Sequence, residues 1–338
     1  MSTTIRTFRN TDVNSICSVW NAHHAEFGPE CKINPLRFEL SCLAKPYFRE
    51  ADVIIAQRKS RVVGWTHISG VASEDLADES QDVAAIAAIC VEPDRDEDAI
   101  AAELLQVVDE RLTARQISRC SFRPLLPNCT FYLGSGQAGS LIGITAEEVR
   151  TGRWLAAAGY RPSTPTNSWE LNLSNFQPPV NRIQVQIRRS AQVHREVDEP
   201  LLPWWQACVL GHTEPTAFQL THRTEKRVMN EVLFWTVAPE LRSQPDSIAW
   251  LWPPVFNPQD ESDLERMVFL IAESLREMQS ERLDLVRTTS AASDVATNAL
   301  YRRLGFSTSQ SGIVFEKVVP DFLTNVKEAC SADGETGV

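Results

Sequence analysis

The sequence predicts an α/β protein made of two tandem domains, each a mixed β-sheet flanked by helices. Three observations carry this. Short apolar strand-like runs alternate with amphipathic helical stretches along all 338 residues. The order strand, proline with acids, long helix, strand, helix, Gly-aromatic, strand occurs twice, with the pairs Gly159–Tyr160 and Gly305–Phe306 in matching places. Between the two copies, Ser174 to Asn181 contains Gln177, Pro178 and Pro179 and has no periodicity. The expected organisation is a first domain over 1–173, a linker over 174–181, a second domain over 182–319 and a flexible polar tail over 320–338.

In order, Ile5 to Phe8 reads as a strand, and Asp12 caps a helix carrying Ile16, Val19 and Trp20. Pro35 opens a second helix. Val53 to Ala56 and Val62 to Ile68 form a hairpin turning at Lys59–Ser60. Glu74 to Gln81 is an acidic loop. Ala84 to Val91 is a buried strand, and a long amphipathic helix follows through Leu104, Leu105, Val108 and Leu112. Ile117 to Phe122 is a strand and Thr145 to Ala158 a helix stopped by Gly159. Tyr160 onward and Ser168 to Leu173 form a strand pair.

After the linker, Val185 to Arg189 is expected as a strand, and Leu201 to Leu210 as a helix. Ala217 to Thr221, Val228 to Val237 and Ile248 to Phe256 are further strands. Leu264 to Met278 is a long helix and Leu283 to Thr288 a strand. Val295 to Leu304 is a helix ended by Gly305, and Ile313 to Val318 the last strand. The first copy is longer by about 20 residues, placed in the Gly- and Pro-rich stretch Pro124 to Gly143.

Lys plus Arg number 33 and Asp plus Glu 44, a net charge of −11. So acidic a chain is a poor general binder of nucleic acid or of an anionic membrane. No apolar run is long enough for a membrane helix, and the N-terminus lacks the pattern of a signal peptide. The eight cysteines show no CxxC spacing and no metal-ligand spacing with histidine, which places them as free thiols in a reducing cytoplasm. His23 and His24 are adjacent, and adjacent residues on a helix face different ways, so packing is preferred over metal ligation. Cys90, in an apolar strand, is expected to be inert.

The segment Asn298-Ala-Leu-Tyr-Arg-Arg-Leu-Gly-Phe306, followed by Val314-Phe-Glu-Lys317, resembles the C-terminal motif of GNAT-type N-acyltransferases. Gly152 to Tyr160 with Trp169 to Leu173 is its counterpart in the first copy, and Ile5 to Val13 is similar to the family's opening strand and helix. The resemblance covers nearly the whole chain as two copies, the layout of mycothiol-synthase-like members. It implies a V-splayed mixed sheet in each copy, with acetyl-coenzyme A lying in the splay as cosubstrate.

The family's coenzyme loop normally offers glycines and an Arg or Gln, so that backbone N–H groups and a helix N-terminus approach the pyrophosphate. Here the first copy reads Val91-Glu-Pro-Asp-Arg-Asp96-Glu97-Asp98-Ala99-Ile100-Ala101 and the second Phe256-Asn-Pro258-Gln-Asp-Glu261-Ser-Asp-Leu264-Glu-Arg266. A carboxylate about 4 Å from a phosphate charge costs roughly 4 kcal/mol at an effective dielectric near 20. Two such contacts cancel micromolar binding, about 8 kcal/mol. Capping of the helix dipole also accounts for these acids. Ala99 and Ala101 leave more room than Leu264 and Arg266, so coenzyme binding is expected at Val91 and at Asp96, Glu97, Asp98, Ala99, Ile100 and Ala101.

The resemblance makes Tyr301, four residues before Gly305, the general acid for the departing thiolate; Leu155 holds that place in the first copy. Tyr132, on the Gly-rich insertion, is the substitute hydroxyl there. Neither copy's fourth strand offers a base, which leaves Glu26, His67 or Glu231. The implied activity is transfer of an acetyl group to a small-molecule amine. The competing reading is a catalytically inactive ligand-binding or interaction protein with decayed coenzyme loops. Homodimerisation stays open.

Overall fold

The computed structural model describes residues 3–28, 31–70, 82–126, 128, 131–135, 142–196, 202–238, 241 and 247–319. The acidic loop expected over 74–81, Gly136, Gly139 and the tail from 320 lie outside the described residues. The chain divides into two compact units: Met1–Thr164 with Ile313–Val338, and Pro165–Gly312.

In unit 1, β1 (Thr4–Thr7), β2 (Val53–Arg58), β3 (Arg61–Gly70) and β4 (Val83–Val91) are antiparallel neighbours in that order. Lys59, with φ of 55°, turns the β2–β3 hairpin where the sequence predicts it. β4 pairs in parallel with β5 (Arg119–Phe122), but only over Val83–Ile86. From Ala87 to Val91 it follows β3, which opens the sheet into a splay. On one side lie α1 (Val13–His23) and α2 (Pro35–Phe38). On the other, α3 (Glu97–Ala114) and α4 (Val149–Ala157) pack. Leu104, Leu105, Val108 and Leu112 of α3 recur at helical spacing, and all are buried against Ile54, Ile86 and Val91.

Unit 2 repeats the arrangement. β8 (Ala191–Arg195), β9 (Thr213–His222), β10 (Val228–Val237) and β11 (Ile248–Leu251) are successive antiparallel neighbours. β11 then pairs in parallel with β12 (Leu285–Ala291). α7 (Glu261–Ser280) buries Met267, Leu270, Ile271, Leu275 and Met278 on this sheet, and α8 (Val295–Arg303) adds Leu300 and Tyr301. α6 (Trp204–Leu210) packs Val209 and Leu210 inward.

The units do not divide where the linker was expected. The strand after α4, β7 (Arg161–Asn172), pairs through Thr166–Asn172 with β12 of unit 2. The strand after α8, β13 (Ser307–Val318), pairs through Phe315–Val318 with β5 of unit 1. The two closing strands are therefore exchanged, and the chain crosses at Thr164/Pro165 and Gly312/Ile313 rather than over 174–181.

Other elements also differ from expectation. Val185 to Arg189 belongs to a helix, α5 (Arg182–Ser190), started by the Asn181 side chain accepting from the Gln184 N–H at 2.8 Å. Its Ile187 packs against the core and its charged residues face water. The expected strand pair after Tyr160 is one continuous strand. β11 stops at Leu251 because Pro253 and Pro254 cannot continue a ladder. The expected helix over 145–158 begins only at Val149, because Ile144–Thr145 forms β6, a short strand on β13.

Gly143 reaches that strand with φ of 74°, and a Cβ there would stand 2.2 Å from the Ile313 carbonyl oxygen. Gly143→Ala is expected to destabilise unit 1 by about 3 kcal/mol, the combined cost of left-handed backbone and overpacking. A urea titration of wild type and variant measures it; an unchanged midpoint contradicts this contact.

Candidate functional site

The two copies close their last helix in the same way. After α4, Gly159 has φ of 91° and the Tyr160 N–H donates to the Leu155 carbonyl at 3.0 Å. After α8, Gly305 has φ of 89° and the Phe306 N–H donates to the Tyr301 carbonyl at 3.0 Å. Leu155 and Tyr301 thus occupy the same structural place, and only the second carries a hydroxyl.

Tyr301 is fully buried and points to the end of β11. The Thr288 hydroxyl donates to the Leu251 carbonyl at 3.0 Å, so the Tyr301 hydroxyl, 3.1 Å from Thr288 Oγ1, is the donor to Thr288. Burial pushes the phenol above its usual value, against the opposing effect of the Thr288 hydrogen bond. Its protonated form is therefore the resting state. The neighbouring Asn298 amide donates to the carbonyls of Ala291 and Ala292 and accepts from Ser290, which in turn accepts from Trp169 Nε1. This network fixes α8 on β12.

On the opposite face of that sheet the register aligns Trp235, Trp250, Arg287 and Glu170 across β10, β11, β12 and β7. The two indoles stack with centroids 5.4 Å apart, and Arg287 Nε donates to Glu170 at 2.6 Å. Sequence reasoning missed this row, although alternation of Trp250 with Leu251 placed the ring and the aliphatic chain on opposite faces. Glu231 pairs with Gln219 at 2.8 Å near the far end of β10. Glu26 is exposed, 3.7 Å from Arg150. Neither adjoins Tyr301 through any described contact.

At the start of α7 the protein's own acids occupy the amides. Asp260 accepts from the Ser262 N–H at 2.9 Å and Asp263 from the Asn257 N–H at 2.6 Å. Arg266 is held by Asn230, Ser262 and Asp263.

In unit 1 the acids at the start of α3, Asp96, Glu97 and Asp98, are each paired. Asp96 lies 3.0 Å from Arg58, Glu97 3.0 Å from Arg150, and Asp98 accepts from Arg153 and from Trp154 Nε1. These arginines offset much of the repulsion that the bare sequence implies for a phosphate, but each is already engaged. Ala99 is exposed, whereas Ile100 and Ala101 are core residues, so Ala101 contributes no open space. The strand end itself is covered: His23 Nδ1 lies 3.3 Å from the Val91 carbonyl, and His24 Nε2 3.8 Å from Cys90 Sγ. Arg123 and Glu148 form an ion pair in the same interior, with side chains 3% and 1% exposed.

Tyr132 lies among aromatic side chains of α1, α2 and β3. Its ring is fully buried among Trp20, Phe38 and Trp65, and its hydroxyl lies 2.8 Å from His67 Nδ1 and 3.5 Å from Cys42 Sγ. Burial lowers His67 to about 3 and raises Cys42 to about 12. His23 is likewise lowered to about 3, by burial first and then by Arg150.

These depressed values have a definite sign for stability. The unfolded chain protonates His67 and His23 near 6.5 and the folded chain does not, so stability is full above 6.5 and is lost as pH falls towards 3. Each ring contributes a slope of about 1.4 kcal/mol per pH unit in that window. His67→Gln, which keeps a partner for Tyr132, is expected to flatten the slope by that amount in urea titrations from pH 7 to 4. An identical slope contradicts a neutral buried His67.

No family model matches the chain, and no curated protein matches it in sequence. Solved structures do. A tandem GNAT protein from the clavulanic acid biosynthesis pathway, in its form without acetyl-coenzyme A, superposes with a TM-score of 0.65 at 13% identity, covering 94% of this chain and 99% of that one. A GCN5-related N-acetyltransferase from Sphaerobacter thermophilus gives 0.60 at 10% identity over 94% and 96%. The glucosamine N-acetyltransferase region of a fungal multi-domain β-N-acetylglucosaminidase gives 0.67 at 12%, over 94% of this chain and 38% of that protein. The chain therefore has the GNAT fold along nearly its whole length, in a mixed α/β architecture. Among the described residues no helix is long and apolar enough to cross a membrane.

Proposed function

We propose that the chain is an N-acyltransferase that moves an acetyl group from acetyl-coenzyme A to the amine of a small molecule in the cytoplasm, and that unit 2 carries the chemistry. The observation that supports this is the Tyr301 hydroxyl, protonated and aimed through Thr288 at the end of β11, at the position where unit 1 has Leu155. In the reaction the amine nitrogen bonds to the thioester carbonyl carbon, the carbon–sulfur bond breaks, the Tyr301 proton passes to the thiolate, and the proton the amine loses goes to solvent, from which the Tyr301 phenolate is reprotonated.

The coenzyme's phosphates are the poor part of the fit. Asp260 and Asp263 take amides at the start of α7 that an anion would use. The same observation, with the engaged acids and covered strand end of unit 1, favours a second reading in which the fold is kept for ligand or partner binding without catalysis. Acetyl transfer to a broad amine panel separates the two. Turnover in wild type that falls in Tyr301→Phe and not in Tyr132→Phe supports the first. Absence of both turnover and acetyl-coenzyme A binding supports the second.

A further inference from the structure

His23, His24 and Cys90 converge inside unit 1, and no step of the proposed transfer uses them. All three are buried, at 3%, 4% and 0% exposure. One ligand atom from each lies within 4.8 Å of the others. The objection that adjacent helix residues diverge does not apply, because α1 ends at His23. His24 has left helical geometry, with φ of −97° and ψ of 16°, and the two rings meet edge to face with centroids 4.6 Å apart.

We propose that these three side chains form a metal site for a divalent cation of the zinc type, held by the Cys90 thiolate and one imidazole nitrogen of each histidine. The donor set is the one such cations prefer. Bond lengths of about 2.3 Å to sulfur and 2.0 Å to nitrogen place tetrahedral S and N ligands about 3.5 Å apart. Cys90 Sγ and His24 Nε2 stand at 3.8 Å. His23 Nδ1, 3.3 Å from the Val91 carbonyl, is placed to donate there, the usual outer-shell arrangement of a ligating histidine, and leaves on Nε2 a lone pair whose one described partner is the Thr151 hydroxyl at 3.5 Å, a long contact that a cation would displace. The His24 ring is buried with no hydrogen-bond partner at Nδ1 and only sulfur at Nε2. Aromatic packing on Trp20 and Phe27 places that ring but satisfies neither nitrogen.

Binding balances as Cys90–SH plus the dication giving the Cys90–S–metal bond and one proton released to solvent. The thiolate cancels one of the two charges. Arg123 and Arg150 reach the cluster and oppose the cation, but Glu148 is paired with the first, and Glu97 and Glu26 flank the second. With all three ligands buried, the cation is taken up as the chain folds.

The test uses the full chain produced in zinc-supplemented medium under reducing conditions, with Cys208→Ser as the control for the partly exposed thiol. One equivalent of zinc is expected to survive desalting in wild type and control. Replacement by cobalt is expected to give a thiolate-to-metal charge-transfer band. Cys90→Ser is expected to lose that band and to weaken zinc binding beyond the roughly 100-fold that outer-shell changes cost. X-ray absorption on the wild-type zinc form gives a readout that needs no variant to fold, with one sulfur and two imidazoles in the first shell. A chain without zinc, a cobalt band that survives Cys90→Ser, or a zinc shell without sulfur overturns the site and leaves the two rings as packing aromatics only.

Discussion

Tyr301→Phe is expected to lower acetyl transfer by about 10² to 10⁴, the range a positioned general acid contributes. The change removes one oxygen from a fully buried ring and leaves the contacts with Trp169 and Phe306 in place. Thr288 keeps its own bond to the Leu251 carbonyl. The fold is thus disturbed little, and the loss falls on the chemical step, in turnover number more than in apparent affinity for the donor. A thermal scan of the variant separates the two effects. Equal turnover in wild type and Tyr301→Phe means that the phenol packs α8 and does no chemistry.

Glu148→Gln is expected to destabilise unit 1 by about 3–5 kcal/mol, because it leaves the Arg123 charge buried without its counterion. That is a large share of the 5–15 kcal/mol by which domains of this kind are stable. Glu148 also accepts from the Thr145 N–H at 3.1 Å, so the change loosens the entry to α4. Arg123, with φ of 42°, is held over the Phe122 ring at 4.7 Å. The double variant Arg123→Met with Glu148→Leu is expected to recover most of the loss, since apolar residues of similar size replace a buried pair at little cost. Urea midpoints of the three proteins measure the coupling. A single variant as stable as wild type shows that the pair is hydrated.

Much of the fold was legible because its elements announce themselves locally. Leu104, Leu105, Val108 and Leu112 fix a helix by spacing, and Gly159 and Gly305 end helices by the conformation only glycine adopts cheaply. The exchange of β7 and β13 was not legible. Both strands follow the same helix–Gly–aromatic stop, and nothing within a strand of this length states which antiparallel partner it will join. Val185 to Arg189 reads as a strand because five residues cannot distinguish period 2 from period 3.6, and the Asn181 cap that makes it a helix lies outside them.

The candidate site divides in the same way. Tyr301 could be found from its place before Gly305, but its partners Thr288 and Leu251 come from other elements and carry no motif. The Arg123–Glu148 pair was invisible because arginine and glutamate are surface residues by default. The acids of both coenzyme loops were seen, whereas the arginines that neutralise those of unit 1 arrive from β2 and α4, far along the chain.

The central claim is that unit 2, with Tyr301, receives acetyl-coenzyme A. Calorimetric titration of the coenzyme into wild type, Asp260→Ser and Asp96→Arg tests it. Serine keeps a cap for the Ser262 amide while removing a charge from the anion's approach. The account predicts weak binding to wild type, binding at least about tenfold tighter for Asp260→Ser by the Coulomb cost of one carboxylate near a phosphate, and no change for Asp96→Arg. Tightening by Asp96→Arg alone would move the site to unit 1, and no binding by any of the three would contradict the assignment of acyl transfer to this chain.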